Sequence, residues 1–184
     1  MPAFQAENDL VIFKNIFTAK MNLNPTISES NEKRVDLLFE GGVLKDVNRM
    51  TVFEAIRDIQ DPEHPYSLEK LDVIRPAYIE VGTIEPTTDG LKHKGLPLKH
   101  IDVSFRPTIP HCSMAGIIGL AIKYQLSRYI SPEYWVRVFV LEDTHVNWKA
   151  LGKQLNDRDR VMAALENQEM VDMLNSIVPF LDTS

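Results

Sequence analysis

The stretch Ile101-Asp102-Val103-Ser104-Phe105-Arg106-Pro107-Thr108-Ile109-Pro110-His111-Cys112-Ser113-Met114-Ala115-Gly116-Ile117-Ile118-Gly119-Leu120 changes its period part-way along. At first Ile101, Val103 and Phe105 alternate with Asp102, Ser104 and Arg106, the two-residue period of a half-buried strand. Pro107 and Pro110 close that strand. Ser113 then stands where it can cap a helix whose apolar residues, Met114, Ile117, Ile118, Leu120, Ala121, Ile122 and Leu126, cover much of the circumference. A helix of that kind is buried, so the stretch reads as strand, proline-stiffened loop and central helix.

Outward from it, Val73 to Val81 alternates with Ala77 and Ile79 on one side, and pairs most simply with the Ile101 strand as a hairpin. The connection Gly82 to Leu98 contains Pro86, Gly90, Gly95 and Pro97 and is long for a hairpin, which marks it as an excursion. Upstream, Thr51 and Glu54 have capping-box spacing, and Val52, Phe53, Ile56 and Ile59 supply an apolar face; this helix is expected to stop at Asp61-Pro62. Downstream, Trp135 to Leu141 is a third strand, with Val136, Val138 and Val140 on one face and too continuous an apolar run for an exposed edge. Asn156 or Asp157 caps the next helix, with Val161, Ala164 and Leu165 inward; a last helix carries Met170, Val171, Leu174, Ile177 and Val178 and ends at Pro179. This order predicts an α+β fold, a small two-layer domain with helices packed on a mixed or antiparallel sheet of three to four strands. The domain is placed at 49–184. Residues 1–48 read as a flexible or partner-docking extension, in which Leu10, Phe13 and Phe17 recur at helical spacing with Ile12 and Ile16 beside them. Leu10 to Phe17 and Val35 to Phe39 are its candidate docking stretches.

A chain of 184 residues, 44% hydrophobic and 25% charged, suits one globular domain with room for an appended segment. A net charge of -6 without a Lys/Arg cluster argues against direct nucleic-acid binding. No apolar run approaches the roughly 20 residues a membrane helix needs, and Glu7 and Asp9 interrupt the leading residues, so the chain reads as cytoplasmic. The lone cysteine, Cys112, permits no intramolecular disulfide, and any metal it binds needs ligands from elsewhere.

Cys112 lies in Pro-His-Cys-Ser just before the central helix, where backbone N–H groups and the helix dipole favour a thiolate, the form that attacks electrophiles and binds soft metals. The expectation is an acidified, reactive thiol, assisted by His111 if protonated; the alternative is a cysteine packed as a small hydrophobe. Asp61-Pro62-Glu63-His64-Pro65 sets two carboxylates and an imidazole on stiff backbone, either as a ligand array or as a turn in which Asp61 bonds nearby N–H groups. His145, in Asp143-Thr144-His145 after the third strand, is a third candidate, though taken singly it reads as a surface histidine. His93 and His100 read as solvent-facing, and Lys153, Arg158 and Arg160 as helix-surface ion pairs. Gly-rich phosphate loops, Cys-x-x-Cys and Gly-x-Ser-x-Gly are missing. In a two-layer domain the helix ending at Asp61 and the helix beginning at Cys112 can share an edge, which would make Cys112 and Asp61-Pro62-Glu63 one site.

Ile59 to Pro65, Phe105 to Ser113, Met114-Ala115 with Ile118-Gly119-Leu120, Lys153 to Val161 and Ala163 to Asn167 together resemble the eukaryotic cytosolic iron-sulfur assembly targeting factors, relatives of the bacterial SufT-like and PaaD-like proteins. The likeness covers about Thr51 to Val178. It implies an iron-sulfur-assembly domain whose functional thiol and metal ligand is Cys112, with Asp61, Pro62 and Glu63 beside it; the residue pattern itself adds His111, Ser113, Thr144 and His145 as supporting members of the site. It implies a non-catalytic adaptor with no stably bound cofactor, which meets a four-iron four-sulfur cluster transiently. The implied partners are a WD-repeat propeller protein, a HEAT-repeat scaffold, iron-sulfur apoprotein clients and, as a further option, a second copy of the chain. The implied place is the cytoplasm, with the nucleus also open. The family pattern has a Glu and an Asn where this chain carries Trp148 and Gly152, which alters a local surface. Two other readings stay open: a thiol-dependent enzyme with Cys112 as nucleophile and His111 or His145 as base, and a pure scaffold with a structural Cys112.

Overall fold

The computed structural model describes residues 25–28, 32–85 and 97–183. Its elements in chain order are β1 (Phe39–Glu40), β2 (Val43–Leu44), α1 (Arg49–Ile56), a 3-10 turn (Pro76–Tyr78) leading into β3 (Ile79–Ile84), β4 (Leu98–Phe105), α2 (Ala115–Tyr129), β5 (Tyr134–Val140), α3 (Trp148–Leu155), α4 (Arg158–Glu166) and α5 (Gln168–Ile177). The pattern at Leu10 to Phe17, His93 and the middle of the Gly82 to Leu98 excursion fall outside the described residues. Among the described residues no helix is long and apolar enough to cross a membrane.

β3 pairs antiparallel with β4, Ile79 opposite Val103, and β4 pairs parallel with β5, Ile101 opposite Val136. The result is a mixed three-stranded sheet in the order β3-β4-β5. A parallel pair needs a crossover, and α2 supplies it. Ile79, Ile101, Val103, Phe105, Val138 and Val140 form the inner face and bury against Val52, Phe53 and Ile56 of α1 and Ile118, Ile122 and Leu126 of α2 in one core. The other face carries Asp102, Trp135, Arg137 and Phe139. There Arg137 grips Asp102 through two bonds of 2.7 and 2.6 Å, while its guanidinium lies 4.7 Å from the Trp135 ring centre. The α+β architecture is the one expected from the sequence.

Several boundaries differ from the sequence reading, each for a local reason. The first helix starts at Arg49 because Asn48, not Thr51, is its cap: the Asn48 side chain accepts from the N–H groups of Met50 and Thr51. Thr51 is the third helical residue and closes the box by accepting from the Asn48 N–H at 3.0 Å. The helix ends at Ile56, well before Asp61-Pro62, because the next backbone groups bond elsewhere: Gln60 N–H to the Ile177 carbonyl (2.8 Å) and Asp61 N–H to that of Tyr66 (2.9 Å). Val73 and Ile74 are both buried, which alternation forbids, and the strand waits until Ile79 because Pro76 opens the 3-10 turn. The hairpin strands extend into the segment read as an excursion, to Ile84 on one side and from Leu98 on the other. Within them His100 is buried, not solvent-facing: its ring lies over Gly82, where a Cβ would come within 2.8 Å of His100 Cε1.

β5 is an outer strand, against expectation. Its edge is covered in part by a helix absent from the sequence expectation. α3 packs against β5, and the Asn156 side chain accepts from the Val138 N–H (3.0 Å) and donates to the Val138 carbonyl (2.8 Å). Asp157 therefore caps α4 alone, accepting from Asp159 and Arg160 N–H, and Arg160 pairs with it at 3.4 Å.

Residues 32–48 lie against the domain. Arg57, 1% exposed, donates to Glu54, Glu69 and the Glu32 carbonyl, while Arg34 reaches Glu54 and Asp58. β1 and β2 join through Gly41 and Gly42, both at positive φ (61° and 84°), as a tight hairpin turn requires. Removing one partner of a buried ion pair strands the other charge. Arg57→Ala is expected to lower stability by about 3–5 kcal/mol, measured by chemical denaturation.

A second constraint sets α3 on α2: a Cβ on Gly119 would lie 2.4 Å from Cδ1 of Leu155, itself buried. Gly119→Ala should cost about 1–3 kcal/mol through overpacking. Combining it with Leu155→Ala should give a smaller loss than the sum of the two single changes, because the contacts are shared.

Candidate functional site

The loop from Pro107 to Met114 leaves the carboxyl end of β4 and enters α2. Cys112 is 4% exposed, and its N–H bonds the Ile109 carbonyl at 3.2 Å. The N–H groups of Met114 and Ala115 face the sulfur and favour its ionised form, but they are outweighed. Burial pushes the thiol up to about 12, and the charges of Glu63 and Asp61 push the same way. The expected acidified thiolate is thus corrected to a sheltered neutral thiol: proximity to a helix end counts for less than loss of water.

Ser113 does not cap α2. Its hydroxyl donates to Glu63 Oε1 at 2.9 Å, and Met114 takes the cap position without a side-chain bond. That bond spans 50 residues and ties the Asp61-Pro62-Glu63 turn to the cysteine loop. Asp61 Oδ1 accepts from the N–H groups of Glu63 (2.9 Å) and His64 (3.0 Å) and lies 2.8 Å from His64 Nδ1. The carboxylate thus shapes its own turn and stands close enough to act on the thiol. His64 is the residue the sequence reading quoted but did not place in the site; the Asp-x-x-His spacing of a turn was the available signal.

His145 is buried, not at the surface. Nδ1 accepts from the Asn147 N–H at 3.0 Å, so Nε2 carries the hydrogen and donates to the Cys112 carbonyl at 3.2 Å. Burial lowers its pKa, nearby His111 adds to that, and the Cys112 carbonyl opposes both. Val146 N–H holds the Pro110 carbonyl at 3.0 Å, a second tie between the two loops. Thr144 donates its hydroxyl to the Leu141 carbonyl and lines a cavity of about 460 Å³ with Thr26, Ser28, Asp72 and Arg106. His111 is exposed. The fold therefore brings Cys112, Ser113, Asp61, Glu63 and His145 together and leaves Thr144 on the neighbouring cavity. Among the described residues no group of three or more His, Cys, Asp or Glu side chains is arranged to hold a metal ion.

Known proteins share this chain over most of its length. It is 39% identical over 156 residues to the mouse cytosolic iron-sulfur assembly component 2B, covering 84% of this chain and 88% of that protein. It is 35% identical over 159 residues to the MIP18 family protein galla-2 of Drosophila melanogaster, covering 85% and 94%. The chain belongs to the MIP18 family. A third relative, Protein AE7 of Arabidopsis thaliana, is 35% identical over 162 residues, covering 86% and 95%. No family model matches the chain. The matched length is enough to take in both the Asp61 turn and the Cys112 loop of this MIP18 family member.

A thiol held neutral to about 12 makes a direct kinetic forecast. At pH 8 native Cys112 should react with iodoacetamide roughly three orders of magnitude more slowly than an unperturbed thiol of pKa about 8.5, and denaturant should restore the rate. Because the folded pKa is raised, the unfolded thiol ionises first, so Cys112 should cost stability as pH rises from about 8.5 towards 12. Cys112→Ala should remove that alkaline slope. His145→Ala frees the Cys112 carbonyl and should speed native alkylation.

Proposed function

We propose that this MIP18 family member is a non-catalytic component of cytosolic iron-sulfur assembly, and that Cys112 is the thiol through which it meets a four-iron four-sulfur cluster on the way to an apoprotein. The observation that carries the reading is a single sheltered thiol clasped by a carboxylate turn, in a relative of proteins named cytosolic iron-sulfur assembly components. The cluster is cargo. One thiolate supplies one ligand, and the others come from a client, a second copy or a small thiol. Iron would displace the proton that burial retains, so the thiol stays inert until cargo arrives. The partners proposed with it are a WD-repeat propeller, a HEAT-repeat scaffold and apoprotein clients, met in the cytoplasm and, by extension, the nucleus.

An adaptor accounts for the site better than an enzyme. A thiol nucleophile needs a base with a free nitrogen beside it. Both ring nitrogens of His145 are engaged with backbone groups, and the group it addresses on Cys112 is the carbonyl, not the sulfur.

Cys112→Ala, Asp61→Asn and the double variant, compared for client maturation with melting temperature as a folding control, test the shared site. Asp61→Asn removes the charge while keeping an oxygen for the turn. Each single change is expected to reduce maturation, and the double to be no worse than the stronger single. Additive losses, or full maturation by both singles, would reject the reading.

A further inference from the structure

Both tryptophans of the chain, Trp135 and Trp148, line one groove of about 610 Å³ between the outer face of β5 and α3. Phe139 shares the lining with Arg137, Lys149 and Lys153, and no carboxylate does. Arg137 is neutralised by Asp102, which leaves the two lysines to set the local charge. Lys149 Nζ rests 4.9 Å from the centre of the Trp148 ring, and Trp135 is 47% exposed. A basic, aromatic groove on a chain of net charge -6 calls for an occupant that is apolar and acidic. Trp148 and Gly152, the two departures from the family pattern, both line it, and Gly152 leaves the space over Phe139 open.

We propose that the segment Glu7 to Phe17 of the same chain occupies this groove. Glu7 and Asp9 are opposite in charge to Lys149 and Lys153 and outnumber Lys14, the one cation of the segment, and Leu10, Phe13, Ile16 and Phe17 offer an apolar stripe at helical spacing to the aromatic rings. The point of entry also fits. Thr26 and Ser28 border a cavity with Thr144 and Arg106 beyond the carboxyl end of β4 and β5, the end at which Val140 and Trp148 line the groove. Residues 18–24 reach roughly 23–25 Å when extended, about the length of β5 at roughly 3.3 Å per residue. A tether this short gives a local concentration of millimolar order, so weak affinity suffices. The inference does not depend on the cluster reading.

Tryptophan emission of the full chain reads the groove directly, since no tryptophan lies elsewhere. In Leu10→Asp/Phe13→Asp/Phe17→Asp, emission is expected to shift to the red and acrylamide quenching to rise on the order of twofold, as release of a mostly docked segment requires. The melting temperature of the domain should be unchanged, and the emission change independent of protein concentration. Lys149→Glu/Lys153→Glu should release the segment as well, and adding Glu7→Lys/Asp9→Lys should restore protection. Unchanged quenching in the first variant would overturn the proposal. So would failure of the charge swap, or a concentration-dependent change that follows self-association, which would make a second copy the occupant.

Discussion

Ile101, Val103 and Phe105 have no contact with solvent, and the strand carrying them is hydrogen-bonded on both sides. That dry row belongs in the middle of the sheet, and the rest of the molecule is arranged around it. With β3 antiparallel on one side and β5 parallel on the other, the chain must leave the carboxyl end of β4, cross through α2 and return. The loop after β4 and the loop after β5 therefore arrive at the same end of the sheet. This is why Cys112 and His145, 33 residues apart, are within one hydrogen bond of each other. Ligand-handling loops of parallel strand pairs gather at that end for the same reason.

How much of this the sequence disclosed depended on whether the deciding interaction was local. β4 and α2 were legible because period and proline placement are local signals, and the hairpin with β3 followed from two matched alternations. The start of α1 was displaced because its box uses a threonine where glutamate or glutamine is usual. α3 went unread: its inward contacts, Trp148, Leu151 and Leu155, occupy one side of a short helix that contains Gly152, and its reason for existing is a neighbour in space. The same neighbour explains why an apolar strand lies on the outside of the sheet. In the site, the approach of Asp61 and Glu63 to Cys112 was foreseen, but from a helix end that the structure moves to Ile56.

The thiol shows how competing terms are decided by magnitude. Two N–H groups favour the thiolate, and a reading limited to the helix end counts only those. Burial and two carboxylates act against them and prevail. His145 contributes by position and not by charge: neutral, with its hydrogen fixed on Nε2 by Asn147, it holds the loop from the carbonyl side. A proton on Nδ1 would sacrifice the Asn147 bond and keep the one from Nε2 to the Cys112 carbonyl, so acid frees the ring from its own loop and not from the cysteine loop.

Asn156 offers Val138 the donor and acceptor that a further strand would have offered. Val138 is the middle of the outward-facing backbone positions of β5, so the strand has no continuous ladder left to extend, and chain-to-chain zippering is blocked there without a proline or a bulge. At Val138 a protein that recognises this side of the molecule must read side chains, not backbone. Recognition written in side chains can be retuned one substitution at a time, leaving the sheet untouched.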